Sequence, residues 1–392
     1  MNVIFFETNR ESLLPLVFAK PIAKLRVGIT TIEEKWIDLL SIPENKISYL
    51  TVTYLSKKFK LNTAKENLFI NGSFLPTSEL VAFIKNELQL NEALICNDEI
   101  VVAKTNLEIF NSESFENLID ITDFYLTSIN TVTDIFTTNH EAIEQDFERL
   151  TKNKKSAKAN KTNTIIGDKV FIEDGATING AILNSDFGAI YIGKNAEIME
   201  GSLIRGPFAL CENATLKMGA KIYGATTIGP HSKVGGEVNN SVIQGYSNKG
   251  HDGFLGNSVI GEWCNLGADT NNSNLKNNYG EVKLWNYTSK KLENTRLQFC
   301  GLIMGDHTKC GINTMFNTGT VAGFSANIYG GGFQDKFIPS FSWGGNGKTT
   351  TYQLEKAIET AEKVMERRGI LLTKEDKAIF ADIHQQTSEY RK

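Results

Sequence analysis

Between residues 192 and 234 every sixth residue is a branched aliphatic: Ile192, Ile198, Ile204, Leu210, Leu216, Ile222, Ile228 and Val234. Four residues after each of the first seven come Ala196, Ser202, Phe208, Ala214, Ala220, Thr226 and Ser232, small in all but Phe208. A period of six matches neither the 3.6-residue turn of a helix nor the alternation of an isolated hairpin. It is the repeat of a parallel β-helix, whose short strands wind into stacked coils. The aliphatic points to the axis, and the small residue sits near the corner, where a large one would clash. Each buried aliphatic contributes about 1.5–3 kcal/mol, and each coil buries its face on the next. An ordinary β-sandwich is the competing fold, and eight aliphatics in phase argue against it.

The ladder extends beyond this stretch with interruptions. Ile166, Ile172 and Ile178 open it, the phase is lost between 179 and 191, and a second break falls at 235–253. It restarts at Phe254, Ile260 and Leu266, stops again from 271 to about 302, and resumes with Met304, Cys310, Phe316, Ala322 and Ile328. Loops that interrupt a solenoid lie on its surface and tend to carry function. An aromatic, glycine-rich crossing at 337–345 leads to a helical face of Leu354, Ile358, Ala361, Val364 and Met365, with Gly369 as its C-cap. Thr373 with Asp376 opens a second helix carrying Ile379, Phe380 and Ile383. This helical pair is expected to cap the open end of the solenoid or to pack on a neighbouring subunit.

The first half differs in kind. Short apolar segments near residues 3–6, 49–54, 68–71, 93–96 and 100–103 read as strands. Helical patterns at 31–40 (Thr31 and Glu34 as a capping box), 78–87 and 138–150 alternate with them. Strands alternating with helices indicate an α/β layer fold. The expected domains are 1–150 (α/β), a basic aperiodic linker at 151–163, 164–345 (β-helix) and 346–392 (helices). A net charge of −4 exerts no general pull toward nucleic acid or anionic membrane. No apolar run approaches the ~18 residues of a membrane span, and the first residues do not read as a signal peptide. Five cysteines, odd in number and without a CxxC pair, are expected to be reduced thiols in a cytoplasmic protein without a zinc site.

A strand followed by a turn carrying Arg and Lys is a place where cationic side chains and backbone N–H groups can meet phosphate oxygens. The run Phe6-Glu7-Thr8-Asn9-Arg10-Glu11-Ser12-Leu13-Leu14-Pro15-Leu16-Val17-Phe18-Ala19-Lys20-Pro21 resembles the signature of sugar-1-phosphate nucleotidyltransferases, a Gly-rich loop ending in Arg, then Pro, then Lys-Pro. Arg10, Pro15, Lys20 and Pro21 match, while Glu7, Thr8 and Asn9 stand in place of the glycines. The resemblance implies a Rossmann-like domain, nucleotide contacts from Arg10 and Lys20, and Mg²⁺. The nearest counterpart of the family's metal-binding Asp is Asn71, a poor sole metal anchor. Without the resemblance, Arg10 and Lys20 read as a solvated surface pair.

The second break holds the densest set of reactive residue types. His251, one of five histidines, lies in Lys249-Gly250-His251-Asp252-Gly253. A neutral imidazole is the usual base for taking a proton from an amine or hydroxyl as it attacks a thioester, although most isolated histidines merely pack. Residues 237–251, Ile260-Gly261-Glu262-Trp263-Cys264-Asn265-Leu266-Gly267-Ala268-Asp269-Thr270, Asn274-Leu275-Lys276 and 303–313 resemble the acetyltransferase half of the bifunctional glucosamine-1-phosphate acetyltransferase / N-acetylglucosamine-1-phosphate uridyltransferase (GlmU-like) family, closest to its archaeal branch. The resemblance implies a left-handed, triangular β-helix of hexapeptide-repeat type, assembled as a homotrimer. It makes His251 the catalytic base and puts Asn265, Asn274, Lys249, Lys276 and Asn239 at the substrate, with Gly267 and Ala268 at the acyl-CoA. Departures are Asn239 and Asn248 where the family has Lys, Phe254 for Tyr, and Asp269 for a small residue.

The expected function is therefore a transferase of sugar-nucleotide metabolism. It would pass an acyl group from acetyl-CoA or another acyl-CoA to an amino sugar or its phosphate, and be joined to a nucleotidyltransferase-like domain that takes a nucleoside triphosphate. The competing readings are a sugar-1-phosphate nucleotidyltransferase alone, with the β-helix as an oligomerisation rod, and a catalytically silent trimeric scaffold or sensor.

Overall fold

The structure, a computed structural model, describes residues 2–391. The chain forms two compact units. Among the described residues, one comprises 2–10, 20–25 and 30–130; the other comprises 11–19, 26–29 and 131–391.

The first unit is built on a six-stranded sheet in the order Ile47–Leu50, Asn2–Phe6, Asn67–Asn71, Glu99–Thr105, Glu92–Cys96, Asn117–Asp120. The strand Asn2–Phe6 runs parallel to both neighbours, whereas Glu99–Thr105 runs antiparallel to both of its own, so the sheet is mixed. Continuous apolar runs such as Val3-Ile4-Phe5-Phe6 mark strands covered on both faces, and all four residues are buried. Helix Ile32–Leu40 starts at the Thr31/Glu34 capping box, with both reciprocal bonds present. Its Trp36 is fully buried and donates its indole N–H to the Phe74 carbonyl at 2.9 Å.

The second unit is a parallel β-solenoid followed by two helices. Its three faces are sheets of six strands (Thr164–Ile166 to Phe254–Gly256), nine strands (Val170–Ile172 to Phe337–Ile338) and ten strands (Thr177–Ile178 to Lys348–Thr351). All pairings within the coils are parallel; the terminal hairpin, Ser342–Gly345 with Lys348–Thr351, is antiparallel. The aliphatics read at six-residue spacing from Ile172 to Ile328 join one continuous core.

Two readings of phase are corrected. Ile166 is exposed and lies in register with Asn184, while Leu183 fills the core slot of that face. Phe254 points outward, in register with Glu237; Leu255, paired with Val238, is the core residue. Side chains alternate along a strand, so a one-residue error exchanges inside for outside. At 179–191 only the phase slips. The coil continues through Leu183, Ile190 and Ile192, all fully buried.

The basic segment 151–163 does not hang free. Ala157 N–H donates to Ile172 O at 2.8 Å, the Ser156 hydroxyl accepts from Ile172 N at 2.9 Å, and Ala157 and Ala159 pack on the core. Segment 26–29 is held inside the second unit. Arg26 N donates to Gln244 Oε1 at 2.6 Å and Gln244 Nε2 returns a bond to Arg26 O at 3.0 Å. Asn139, fully buried, accepts from Gly28 N and donates to Ala225 O.

Helices Leu354–Glu366 and Lys374–Gln386 close the chain, the second opened by the Thr373/Asp376 capping box. Phe380 meets the rings of His307, Phe324 and Phe341, which belong to successive coils, so this helix lies along the stack rather than only on its end.

Candidate functional site

Each coil turns a corner after its strand on the ten-stranded face. Four successive corners follow Val234, Lys249, Leu266 and Cys310, and the second carries His251. Gly236, at φ +73°, lies against the backbone of His251, Asp252 and Gly253; a Cβ there would come within 2.9 Å of the His251 carbonyl oxygen. On the other side, Gly253, at φ +116°, approaches the Thr270 carbonyl so closely that a Cβ would sit 2.2 Å from it. The loop is thus held between the Gly235-Gly236 corner below and the 267–270 corner above. Glycine is required because both approaches are too close for a side chain and both φ values disfavour one.

His251 itself is exposed, and among the described residues its imidazole makes no hydrogen bond. Its carbonyl oxygen is fixed by Lys249, whose Nζ donates to it at 2.9 Å and to Gly235 O at 3.0 Å. Lys249 occupies a core slot, in register with Val234, and is 3% exposed. Burial pushes its ammonium down to about 8, partly opposed by Asp252 and Asp269. The expectation that Lys249 faces substrate meets a different geometry: its charge is spent on backbone carbonyls inside the coil.

Asn265 is exposed and lies beside Asn248 in the strand that leads to the next corner. Gly267 and Ala268 form that corner, half-buried; Ala268 O accepts from Asn313 N at 2.8 Å. A Cβ on Gly267 would lie 2.4 Å from the Gly311 backbone. His251, Gly267 and Ala268 therefore share one edge of the solenoid.

Asn274 and Asn239 belong elsewhere. Asn274 Nδ2 donates to Asn257 Oδ1 at 2.8 Å, and Asn257 N donates to Asn239 O at 3.0 Å. This asparagine cluster meets the far end of the strand Phe254–Gly256 from His251. Lys276 Nζ donates to the Glu281 carbonyl within its own loop. Sequence reading missed Asn271 and Asn272. Asn271 Oδ1 accepts from Phe254 N at 2.8 Å, and Asn272 brackets Gly256 through its N–H and carbonyl. They hold the strand that leaves the His251 loop, and the only signal for them is the asparagine-rich run 271–274.

In the first unit, Arg10 and Lys20 are not a solvated pair: the Arg10 side chain is 11% exposed and Lys20 is 5% exposed. Arg10 Nη1 meets Glu7 Oε1 at 2.7 Å and its Nη2 donates to Lys20 O at 3.1 Å. Asn71, at the end of its strand, is buried and saturated. Nδ2 donates to Thr8 Oγ1 and to Ile100 O, both at 3.1 Å, and Oδ1 accepts from Ser73 N at 3.0 Å. Among the described residues, no group of three His, Cys, Asp or Glu side chains is placed to hold a metal ion. Asn71, standing where the resemblance expects a metal-binding Asp, thus offers Mg²⁺ no carboxylate, and its amide is spent on protein partners. Among the described residues, no helix is long and apolar enough to cross a membrane.

Residues 3–155 match the family described as "Sugar nucleotidyl transferase". The chain is 32% identical over 162 residues to the bifunctional sugar-1-phosphate nucleotidylyltransferase/acetyltransferase of Sulfurisphaera tokodaii, covering 41% of this chain and 38% of that protein. It is 36% identical over 104 residues to the bifunctional protein GlmU of Methanocaldococcus jannaschii, covering 26% and 25%. The matched segments thus span about a quarter to two fifths of those relatives' own length. Among solved structures, the Arabidopsis UDP-N-acetylglucosamine acyltransferase aligns over 60% of this chain and 81% of its own, at 14% identity and a TM-score of 0.26. AntD, an N-acyltransferase from Bacillus cereus solved with dTDP and coenzyme A, aligns over 52% and 91%, at 13% identity and a TM-score of 0.22. At such scores neither structure bears on function.

Proposed function

We propose that the second unit is an acyl-CoA-dependent acyltransferase acting on an amino group or hydroxyl of a sugar, with His251 as general base. One observation carries the reading: an exposed imidazole, unengaged by the chain, stands on a loop fixed at its backbone and shares a solenoid edge with Gly267 and Ala268. The similarity to the bifunctional nucleotidylyltransferase/acetyltransferase of Sulfurisphaera tokodaii supports the class of reaction.

In the reaction, the acceptor nitrogen or oxygen attacks the thioester carbonyl carbon. His251 takes the proton that the nucleophile loses, the carbon–sulfur bond breaks, and the imidazolium returns the proton to the departing thiolate. A positioned base of this kind contributes roughly 10²–10⁴-fold. The side-chain-poor edge at Gly267 and Ala268 would take the extended acyl-carrying arm, and Asn265, exposed one strand away from the loop, would hydrogen-bond the acceptor or the acyl group. Asn239 and Asn274, at the far end of the strand Phe254–Gly256 from the His251 loop, and Lys276, in the loop that follows Asn274, would meet the far portion of a long acceptor such as a sugar phosphate. The working form is a cytoplasmic homotrimer. The testing experiment is thiol release from acetyl-CoA in the presence of amino sugars and sugar phosphates, comparing the full chain with His251→Ala.

A second reading, sugar-1-phosphate nucleotidyl transfer by the first unit, is favoured by the family match over residues 3–155. Release of pyrophosphate from a nucleoside triphosphate and a sugar phosphate tests it.

A further inference from the structure

We infer that Glu7 fills, with its own carboxylate, the anion site that Arg10 and the backbone after Lys20-Pro21 would otherwise offer to a phosphate, so that the first unit as folded rejects nucleoside triphosphates. This concerns a site separate from the acyltransfer edge and does not depend on it; it stands against the second reading, nucleotidyl transfer by the first unit.

Three donors converge on the Glu7 carboxylate. Oε1 accepts from Arg10 Nη1 at 2.7 Å and from Ile22 N at 2.6 Å, and Oε2 accepts from Thr51 Oγ1 at hydrogen-bond distance. A guanidinium, a backbone N–H and a hydroxyl are the donors that a phosphate oxygen requires. The carboxylate they hold is 6% exposed, and its partner Arg10 is 11% exposed, so the charge pair is closed off from water. Arg10 is tied again through Nη2 to the Lys20 carbonyl at 3.1 Å, which sets the plane of its fork.

The residues that follow are stitched down as well. Thr8 Oγ1 donates to Glu99 Oε1, Asn9 Nδ2 reaches the same oxygen at 3.5 Å, and Asn71 holds Thr8 Oγ1 from the neighbouring strand. A loop that wraps a triphosphate needs backbone free to approach it, the property glycine confers. Here three side chains anchor the loop to its own sheet instead. A second cation is similarly engaged: Lys24 Nζ meets Glu33 Oε1 at 2.7 Å, and Glu33 also accepts from the Tyr49 hydroxyl at 2.7 Å. An entering phosphate would have to displace a carboxylate from all three donors, and would meet its negative charge at contact distance if it did not.

The consequence is a gain of binding on removing the carboxylate. The probes are inorganic tripolyphosphate and UTP, titrated calorimetrically into the full chain near pH 7.5. Wild type is expected to bind neither appreciably. Glu7→Ala is expected to bind tripolyphosphate at least about ten-fold tighter, since the variant removes the carboxylate that competes with phosphate for these donors. Glu7→Ala with Arg10→Ala should lose that gain. Glu7→Gln keeps the shape and removes the charge; it should show a smaller gain and keeps the test valid should Glu7→Ala not fold. Wild type binding as tightly as Glu7→Gln or Glu7→Ala, or no binding by either variant when folded, would overturn the inference.

Discussion

The ammonium of Lys249 donates to the carbonyl oxygen of His251 at 2.9 Å from a slot in the solenoid core that its in-register neighbour Val234 fills with an aliphatic. A buried charge is costly unless its hydrogen bonds are met, and here it is retained where two backbone carbonyls of adjacent corners need a donor. Lys249 is thus a positioning residue: it acts on the imidazole through the loop.

Lys249→Met keeps the length and apolar stem of the side chain while removing the donor. Replacing a buried charge with a hydrophobic group of similar volume is often neutral or stabilising, so the solenoid should remain folded. The loop at 250–253 should loosen, with faster amide hydrogen exchange there and thiol release reduced by about ten-fold or more, because misplacing a catalytic group is costly. Unchanged exchange at 250–253 would remove Lys249 from this role.

Lys249 also gives stability a pH dependence whose sign is definite. Its folded value, about 8, lies below the ordinary 10.5, so between these limits the unfolded chain binds more protons than the folded one. Stability therefore rises as pH increases from about 8 toward 10.5, by at most about 1.4 kcal/mol per pH unit from this group. Lys309, likewise pushed down to about 8 by burial, adds a slope of the same sign. Buried Cys300 and Cys310, pushed up by burial, contribute slopes of the opposite sign, so the test is the difference between proteins: in urea unfolding at pH 7.5, 8.5 and 9.5, wild type should gain stability relative to Lys249→Met as pH rises, and equal slopes would contradict the assignment.

Gly253→Ala should damage the loop without touching the imidazole. The position has φ +116° and a Cβ would sit 2.2 Å from the Thr270 carbonyl oxygen. Strain and overlap of this kind cost about 1–3 kcal/mol or more. A drop in the thermal midpoint together with a loss of thiol release is expected. Wild-type stability in this variant would show that the 267–270 corner is not packed as described.

Asn139→Ala tests how segment 26–29 is held. Asn139 is fully buried and bonds Gly28 N at 2.8 Å and Ala225 O at 2.9 Å. Removing it leaves a buried donor and a buried acceptor unmet, for a loss of about 2–4 kcal/mol in denaturant unfolding. A change below about 0.5 kcal/mol, the level of an indifferent surface substitution, would contradict the buried role.

The solenoid was legible because its core requirement repeats: Ile192 to Val234 occupy equivalent slots, and one period describes them all. Phe254 was misplaced because the core step from Leu255 to Ile260 is five residues rather than six, so a six-residue count back from Ile260 lands one position outside the core slot. Residue type alone puts a lysine at the surface; only register puts Lys249 inside. Glu7 was legible as an acid where glycine is expected. Its role was not, because two of its donors, Ile22 and Thr51, lie 15 and 44 positions away and meet it only through the fold. Asn239 and Asn274 were grouped with His251 by type and motif, but the strand Phe254–Gly256 stands between them.

The most direct test of the acyltransfer reading is thiol release by the full chain supplied with acetyl-CoA and a panel of amino sugars and sugar phosphates, repeated with His251→Gln. His251 is exposed and makes no side-chain hydrogen bond among the described residues, so the variant should unfold at the wild-type midpoint. Turnover with at least one acceptor, falling by about 100-fold or more in His251→Gln, is the result expected of a general base. Equal turnover in the two proteins, or no turnover with any acceptor in the panel, would contradict it.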